Sequence, residues 1–395
     1  MRLSEKKVVG FVCASHSMVH IAELYFAGLL LYMEADFGAS HETMGKVQMP
    51  FAFFFGATAP LAGWLAGRLG SFNTLTLYLA GCALTLPLVA FTNTPLQLTL
   101  ALALLGIFVG LYHPAGLSGI SRLSHRPGRA LGYHGFAGNF GLAMGPFIAV
   151  LTADALGLGW RGSYALLCLP FGVLAMLVYR LSRLEPAAHA AAAERRTTRV
   201  HFDLPALALV LLIVGGNGIL YRMVLTFFTA RLDGVFAPVA EAWNLGPKML
   251  SGIIMSGFLL IGAAGQLASG YLSEHFSLGK LLAAIFLLSG ISLILFGLGG
   301  VVVVILSGCA FGSFFFAAQP VANGLLSRLT PPEQHGFVYG LSSFFTFGVG
   351  SIGSYIGGVV ATRHGEGTVY VAAGIATLVM AGLPLLLPTH RMSRP

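Results

Sequence analysis

Along the 395 residues, apolar runs of about 20 residues alternate with short breaks carrying charge, Gly or Pro. A run of that length is what an α-helix needs to cross ~30 Å of hydrocarbon. Lipid offers a backbone amide no partner, so the expected element is the helix, which satisfies its own. A membrane barrel would instead show short segments of alternating polarity. The runs predict an all-α membrane protein with twelve transmembrane helices, at 8–32, 44–66, 73–92, 97–120, 130–153, 162–181, 204–230, 249–271, 279–297, 301–325, 336–361 and 367–388. Met1 to Lys7 is short and basic, but the run after it is too long for a cleavable signal and reads as the first span.

The longest charged break runs from Arg183 to Asp203 and holds Glu185, Glu194, Arg195, Arg196 and Arg199 around an Ala tract. It reads as a cytoplasmic linker (183–203), with room for one amphipathic surface helix. The expected organisation is a six-helix bundle at 1–182 and a second at 204–395. The two halves repeat. Gly63-Trp64-Leu65-Ala66-Gly67-Arg68-Leu69-Gly70 follows span two, and Gly270-Tyr271-Leu272-Ser273-Glu274-His275-Phe276-Ser277 follows span eight, an offset of 207. Gly106, Pro114 and Ser121-Arg122-Leu123 recur as Gly312, Pro320 and Ser327-Arg328-Leu329, an offset of 206. Pseudo-symmetric repeats of this kind predict alternating access by rocking of the halves.

Composition agrees with lipid as the solvent: 56% of residues are hydrophobic, 9% are charged, and the mean hydropathy is +0.83. A soluble domain carries roughly 25% charged residues. The 52 Gly and 30 Phe suit closely packed helices. Net charge is +8, and its placement follows the positive-inside rule. With the N-terminus cytoplasmic, that side takes Arg2, Lys6, Lys7, Arg68, Arg122, Arg126, Arg129, Arg180, Arg183, Arg195, Arg196, Arg199, Lys280, Arg328, Arg391 and Arg394. The opposite side keeps Lys46, Arg161, Arg231, Lys248 and Arg363. Both termini are therefore expected in the cytoplasm, and topology rather than nucleic-acid binding accounts for the basic balance. Cys13, Cys82, Cys168 and Cys309 fall in apolar runs without paired spacing and read as buried thiols.

The loop after span two, with Gly63, Leu65, Ala66, Arg68 and Gly70, resembles the signature of the major facilitator superfamily, and the resemblance extends over essentially the whole chain. It departs at Gly67, where the family has Asp, and at Ser71 and Phe72, where the family is basic. The second copy keeps Glu274 but has His275 in the Arg place. Span five, Gly132-x8-Gly141-x3-Gly145-Pro146, is similar to the family's antiporter branch, with Ala149-Val150 replacing the closing Gly pair. Leu111-Tyr112-His113-Pro114-Ala115-Gly116 and Arg129-Ala130-Leu131-Gly132 look like the fosmidomycin-resistance branch. The resemblance implies a gating role for Gly63, Arg68, Gly70, Glu274, Gly141, Gly145 and Pro146, and efflux of small drug-like or anionic compounds.

Charge within a span costs about 3 kcal/mol on insertion scales, so each instance asks for a reason. Glu23 in span one and Arg222 in span seven are the two that lie well inside, at similar depth. Glu23 is expected to couple protons, with Arg222 as its partner or a substrate anchor. His16 and His20 share a helical face with Glu23, and His113 and His134 join them from spans four and five, all candidates for proton coupling. Asn217 and Tyr221 precede Arg222; with Gln48, Asn139, Gln266, Gln319 and Asn323 they are expected to contact substrate. Gly215, Gly216 and Gly218 would leave span seven deformable there. Phe314 to Phe316, Phe344-Phe345 and Phe51 to Phe55 read as packing or lipid-facing aromatics rather than a drug cage.

These features predict a proton-coupled exporter of a small organic molecule, drug-like or anionic. The alternatives are an organic-anion/proton uptake symporter, or a transition-metal exporter using His16, His20 and Glu23. No resident metal, no cofactor and no enzymatic chemistry are expected, and no Gly-x4-Gly-Lys-Ser/Thr loop is present for an ATP-driven pump. The expected partners are substrate, protons and the lipid bilayer, in a monomer of the bacterial inner membrane.

Overall fold

The computed structural model describes residues 5–123, 127–183, 203–331 and 334–387. Residues 184–202, most of the expected linker, lie outside this range, as do Arg2, Arg126, Arg391 and Arg394. Among the described residues the chain is all-helical. In chain order the α-helices are α1 (Glu5–Phe37), α2 (His41–Ala57), α3 (Ala59–Leu69), α4 (Ser71–Ala90), α5 (Pro95–Val109), α6 (Tyr112–Leu123), α7 (Pro127–Val150), α8 (Gly159–Ser182), α9 (Leu204–Thr226), α10 (Phe228–Ala242), α11 (Pro247–Leu272), α12 (Leu278–Leu298), α13 (Val301–Leu329), α14 (His335–Ser343), α15 (Ile352–His364) and α16 (Glu366–Met380). Eleven stretches are long and apolar enough to span a membrane, and α2 with α3, bent by 43° at their junction, makes a twelfth.

Several spans are broken helices, which the apolar runs alone did not anticipate. Thr58 separates α2 from α3, and Phe227 separates α9 from α10 inside one 39-residue stretch, Leu204–Ala242. A π turn, Leu151–Ala155, ends α7, and α14 reaches α15 through a π turn at Phe344–Gly348 and a 3-10 turn at Val349–Ser351. Helix starts follow local chemistry. Ser40, Thr94 and Asp203 each accept a backbone N–H three residues on, at the N-caps of α2, α5 and α9. Gly70, at φ 88°, turns the chain from α3 into α4, a conformation that penalises any residue with a Cβ.

Buried side chains of α1–α8 form one core around Tyr78, Tyr112, Tyr164 and Phe171. Those of α9–α16 form two more, and Leu24, Ala27, Leu142 and Ala143 cross over to join one of them. Lipid tails are as apolar as these side chains, so close van der Waals packing rather than water exclusion holds such helices together. The seams between the two sets are correspondingly tight. A Cβ on Gly45 of α2 would stand 2.3 Å from the Ser354 carbonyl oxygen of the opposite set. Gly218, expected to loosen α9, instead seats the helix on Thr346: a Cβ there would stand 2.2 Å from that carbonyl oxygen. α9 runs unbroken through Gly215, Gly216 and Gly218.

One end of the molecule is latched. His41 Nδ1 meets Glu34 Oε1 at 2.5 Å and its Nε2 meets Glu366 Oε1 at 3.0 Å, tying α1, α2 and α16. Nearby, the Glu42 amide donates to Thr362 Oγ1 at 2.9 Å, and Lys248 Nζ donates to the Leu31 carbonyl at 3.2 Å.

Candidate functional site

Helical spacing puts His16, His20 and Glu23 on one stripe of α1, and that stripe faces α6, α7 and α9. Glu23 and Arg222 are almost fully buried, at 1% and 2% exposure. Arg222 Nη2 donates to Glu23 Oε1 at 2.8 Å, and the Tyr221 hydroxyl donates to the same oxygen at 3.2 Å. The other carboxylate oxygen, Oε2, meets His20 Nδ1 at 2.6 Å. From there His20 Nε2 faces His16 Nε2 at 3.1 Å, and His16 Nδ1 donates to the His134 carbonyl at 2.7 Å.

Packing holds the imidazoles in place. His16 is stacked on His134, with ring centroids 3.8 Å apart, and its other contacts include Tyr112 at 5.1 Å. The Tyr112 hydroxyl donates to the Val12 carbonyl at 2.8 Å, so it accepts from His134 Nε2–H at 3.0 Å. Tyr78 reaches α1 from α4, donating to the Ser15 carbonyl at 3.1 Å. α7 can approach so closely because its facing positions are Gly. A Cβ on Gly141 would stand 2.3 Å from the Ser17 carbonyl oxygen, and one on Gly138 would stand 2.4 Å from His16 Cε1. Gly145 meets the Ile21 carbonyl in the same way, at 3.0 Å.

Around the guanidinium lie three aromatic rings, Tyr221, Phe347 and Phe55, with centroids 5.5, 5.7 and 6.0 Å away. Within that range a ring face attracts a cation. Phe55 and Phe347 also flank His113, whose ring centroid lies 5.3 Å from His16 and 5.5 Å from His20. Beside the ion pair is a cavity of about 10 Å³, the space of one water, lined in part by Glu23, Gln48, Arg222 and Thr226. Four buried polar atoms around this region lack a partner among the described residues: Gln48 Oε1, His113 Nε2, Asn217 Oδ1 and Arg222 Nε.

The structure thus gathers Glu23, His16, His20, His113, His134, Tyr221, Arg222 and Gln48 into one cluster. A second group stands apart from it. Asn139 Nδ2 donates to Gln266 Oε1, joining α7 to α11, and Gln266 Nε2 donates to Gln319 Oε1 at 3.3 Å. Asn323 is exposed one turn beyond Gln319. Arg68 lies over the Trp64 ring at 4.5 Å, a Cβ on Gly63 would meet Pro114 Cβ at 3.9 Å, and Glu274 sits in the turn after α11. Pro146 lies inside α7, and Gly28 of α1 packs on it. Nothing lies within 4 Å of a Cβ on Gly132, so that member of the span-five pattern is not a packing contact.

One ring nitrogen from each of His16, His20 and His113 lies within 4.8 Å of the others, and these three residues could hold a metal ion. The set differs from the expected His16, His20 and Glu23, because both Glu23 oxygens are engaged by Arg222, Tyr221 and His20. Sequence reading missed Phe55, Phe347, Tyr112 and Gly138. Tyr112 adjoins His113 in the chain, so an aromatic neighbour was the available signal. Phe347 lies within a π turn, which shifts helical register and hides its face.

A model of the Major Facilitator Superfamily matches residues 12–239 and 222–395. The chain belongs to the Major Facilitator Superfamily. It is a secondary transporter, not an enzyme, and a multi-span membrane protein. The fosmidomycin resistance protein of Escherichia coli (strain K12) is 22% identical over 397 residues, covering 97% of this chain and 93% of that protein. Solved structures share the superfamily fold. A bacterial homolog of the human lysosomal transporter Spinster, inward-facing and occupied, superposes with a TM-score of 0.79 at 13% identity, covering all of both chains. The nucleoside transporter NupG gives 0.78 at 17% identity, covering 97% of this chain and 100% of that one. The inward-open xylose transporter XylE from E. coli gives 0.76 at 15%, covering 97% and 96%.

Proposed function

We propose that this transporter is a proton-coupled exporter of a small organic, drug-like molecule, working by alternating access of two six-helix bundles, 1–182 and 204–395, about the linker 183–203. The observation that carries the reading is the buried Glu23–Arg222 pair, which joins α1 of one bundle to α9 of the other beside a small cavity. A buried pair is sensitive to its partner: separating the bundles takes Arg222 from Glu23 and leaves a carboxylate that gains by protonation. Proton binding and bundle movement are then the same event. Export is supported by similarity to the fosmidomycin resistance protein and by the glycine face of α7. The end carrying Glu34, His41 and Glu366 is read as the outer one, with both termini in the cytoplasm of a bacterial inner membrane, and the protein as a monomer.

A second reading, an uptake symporter for an organic anion, is favoured by the chemistry of the pair. An anion that takes Arg222 releases Glu23 to a proton, so anion and proton would bind together rather than exclude each other. Thermal-shift measurement of the purified protein at two pH values, against fosmidomycin, simple phosphonates, carboxylates and cationic drugs, separates the readings. Anion stabilisation that grows as pH falls and is lost in Arg222→Ala supports the symporter. Stabilisation that fades as pH falls supports the exporter. No stabilisation by any organic compound, with a response to Zn²⁺ or Co²⁺ alone, would sink both.

A further inference from the structure

Three imidazoles from two helices converge on one point. His16 and His20 stand one turn apart on α1, the spacing at which two helical histidines grip a single ion, and their Nε2 atoms lie 3.1 Å apart. Two nitrogens on one tetrahedral metal ion are separated by about 3.3 Å, given metal–nitrogen bonds of about 2.0 Å. His113 enters from α6. One ring nitrogen of each of the three lies within 4.8 Å of the others, and a side-chain rotation of His113 closes the remaining gap. Its Nε2 is buried and has no hydrogen-bond partner among the described residues.

Behind the α1 pair stand the supports that a metal-ligating histidine needs. His16 Nδ1 donates to the His134 carbonyl at 2.7 Å, and His20 Nδ1 faces Glu23 Oε2 at 2.6 Å. A carbonyl or carboxylate in that place fixes the ring, aims its other nitrogen at the ion and makes it a better donor. Glu23 is itself fixed, by Arg222 at 2.8 Å and Tyr221 at 3.2 Å.

We infer that His16, His20 and His113 form a binding site for a divalent transition-metal ion of the Zn²⁺, Co²⁺ or Ni²⁺ class, resident in the N-terminal bundle. The third nitrogen decides it. A hydrogen bond joins two nitrogens and leaves His113 Nε2 orphaned, whereas a tetrahedral ion takes all three and keeps a fourth position for water. An all-imidazole set suits these metals and not Mg²⁺ or Ca²⁺, which take oxygen ligands. A divalent charge on neutral ligands is costly in a buried place, and the Glu23 carboxylate behind His20 offsets part of that cost. All three ligands belong to α1 and α6 of one bundle, so rocking of the bundles leaves the site closed. The ion is therefore a brace between two helices and not cargo. The sequence pointed to no resident metal because His113 lies far along the chain from the α1 pair. The site stands whether or not Glu23 couples protons.

The test uses Co²⁺ as the probe, added to the full-length protein in lipid nanodiscs at about pH 8, where a free imidazole is neutral. The expected result is one Co²⁺ per chain with the intense visible absorption of a tetrahedral ion, displaced by Zn²⁺ and not by Mg²⁺. The band should be lost in His16→Ala, His20→Ala and His113→Ala. It should persist in His134→Phe, which keeps the ring stacked on His16 and the backbone carbonyl behind it. Glu23→Gln should weaken binding roughly 10–100-fold, and Arg222→Gln, which leaves the carboxylate to His20 alone, should tighten it. If the variants fail to fold, X-ray absorption of the Zn²⁺-loaded wild-type protein decides, with three imidazoles expected on the ion. No stoichiometric binding, a pale six-coordinate spectrum, a band that survives His113→Ala, or fewer than three imidazoles would overturn the inference. So would Co²⁺ transport into proteoliposomes, since a resident ion does not cross.

Discussion

His16 touches α7 where Gly138 has no side chain, and the 2.4 Å separation from a Cβ built there leaves a methyl group no room. Gly138→Ala should therefore push the imidazole off the His134 carbonyl and disturb its contact with His20. The expected outcome is a loss of proton-coupled flux of at least about tenfold, which is what a displacement worth ~1.4 kcal/mol would give. Gly132→Ala, with open space around it, should leave flux unchanged. Flux in proteoliposomes, with thermal unfolding as the check on folding, reads both. The residues of the ion pair were legible in the sequence because charge inside an apolar run is conspicuous. Phe55 and Phe347 were not, since a Phe in a span is unremarkable until its neighbours are known.

Between elements, the latch of His41 with Glu34 and Glu366 joins the C-terminal end of α1, the start of α2 and the start of α16. Breaking it with Glu366→Gln should shift the population towards conformations open at that end. Double electron–electron resonance between spin labels at positions 43 and 363 should then show a longer distance component that is weak in the unaltered latch; an unchanged distribution would make the contact incidental. None of these three residues drew notice in the sequence, because each sits at a helix end where a polar residue is ordinary. The broken spans escaped for a related reason. Pro60, in the first turn of α3, was an available signal for the break at Thr58, whereas Phe227 interrupts its span with no Gly or Pro beside it, and π turns at 151–155 and 344–348 leave the hydropathy pattern intact. Span number and order, by contrast, depend on the length of apolar runs, and length is what the bilayer dictates.

For the whole molecule, the claim is that a proton bound at Glu23 and the arrangement of the two bundles are linked through Arg222. The equal depth of Glu23 and Arg222 was readable from helix starts, but their contact was not, since a repeat in sequence does not state how the copies face each other. The direct measurement uses the purified transporter in proteoliposomes with a pH-sensitive dye inside and an imposed pH gradient. Fosmidomycin and a panel of simple phosphonates and carboxylates serve as probes. At least one probe should speed the collapse of the gradient in the wild-type protein, and Glu23→Gln should abolish that effect while still binding the probe. Equal collapse in Glu23→Gln, or probe flux indifferent to the gradient, would contradict the account.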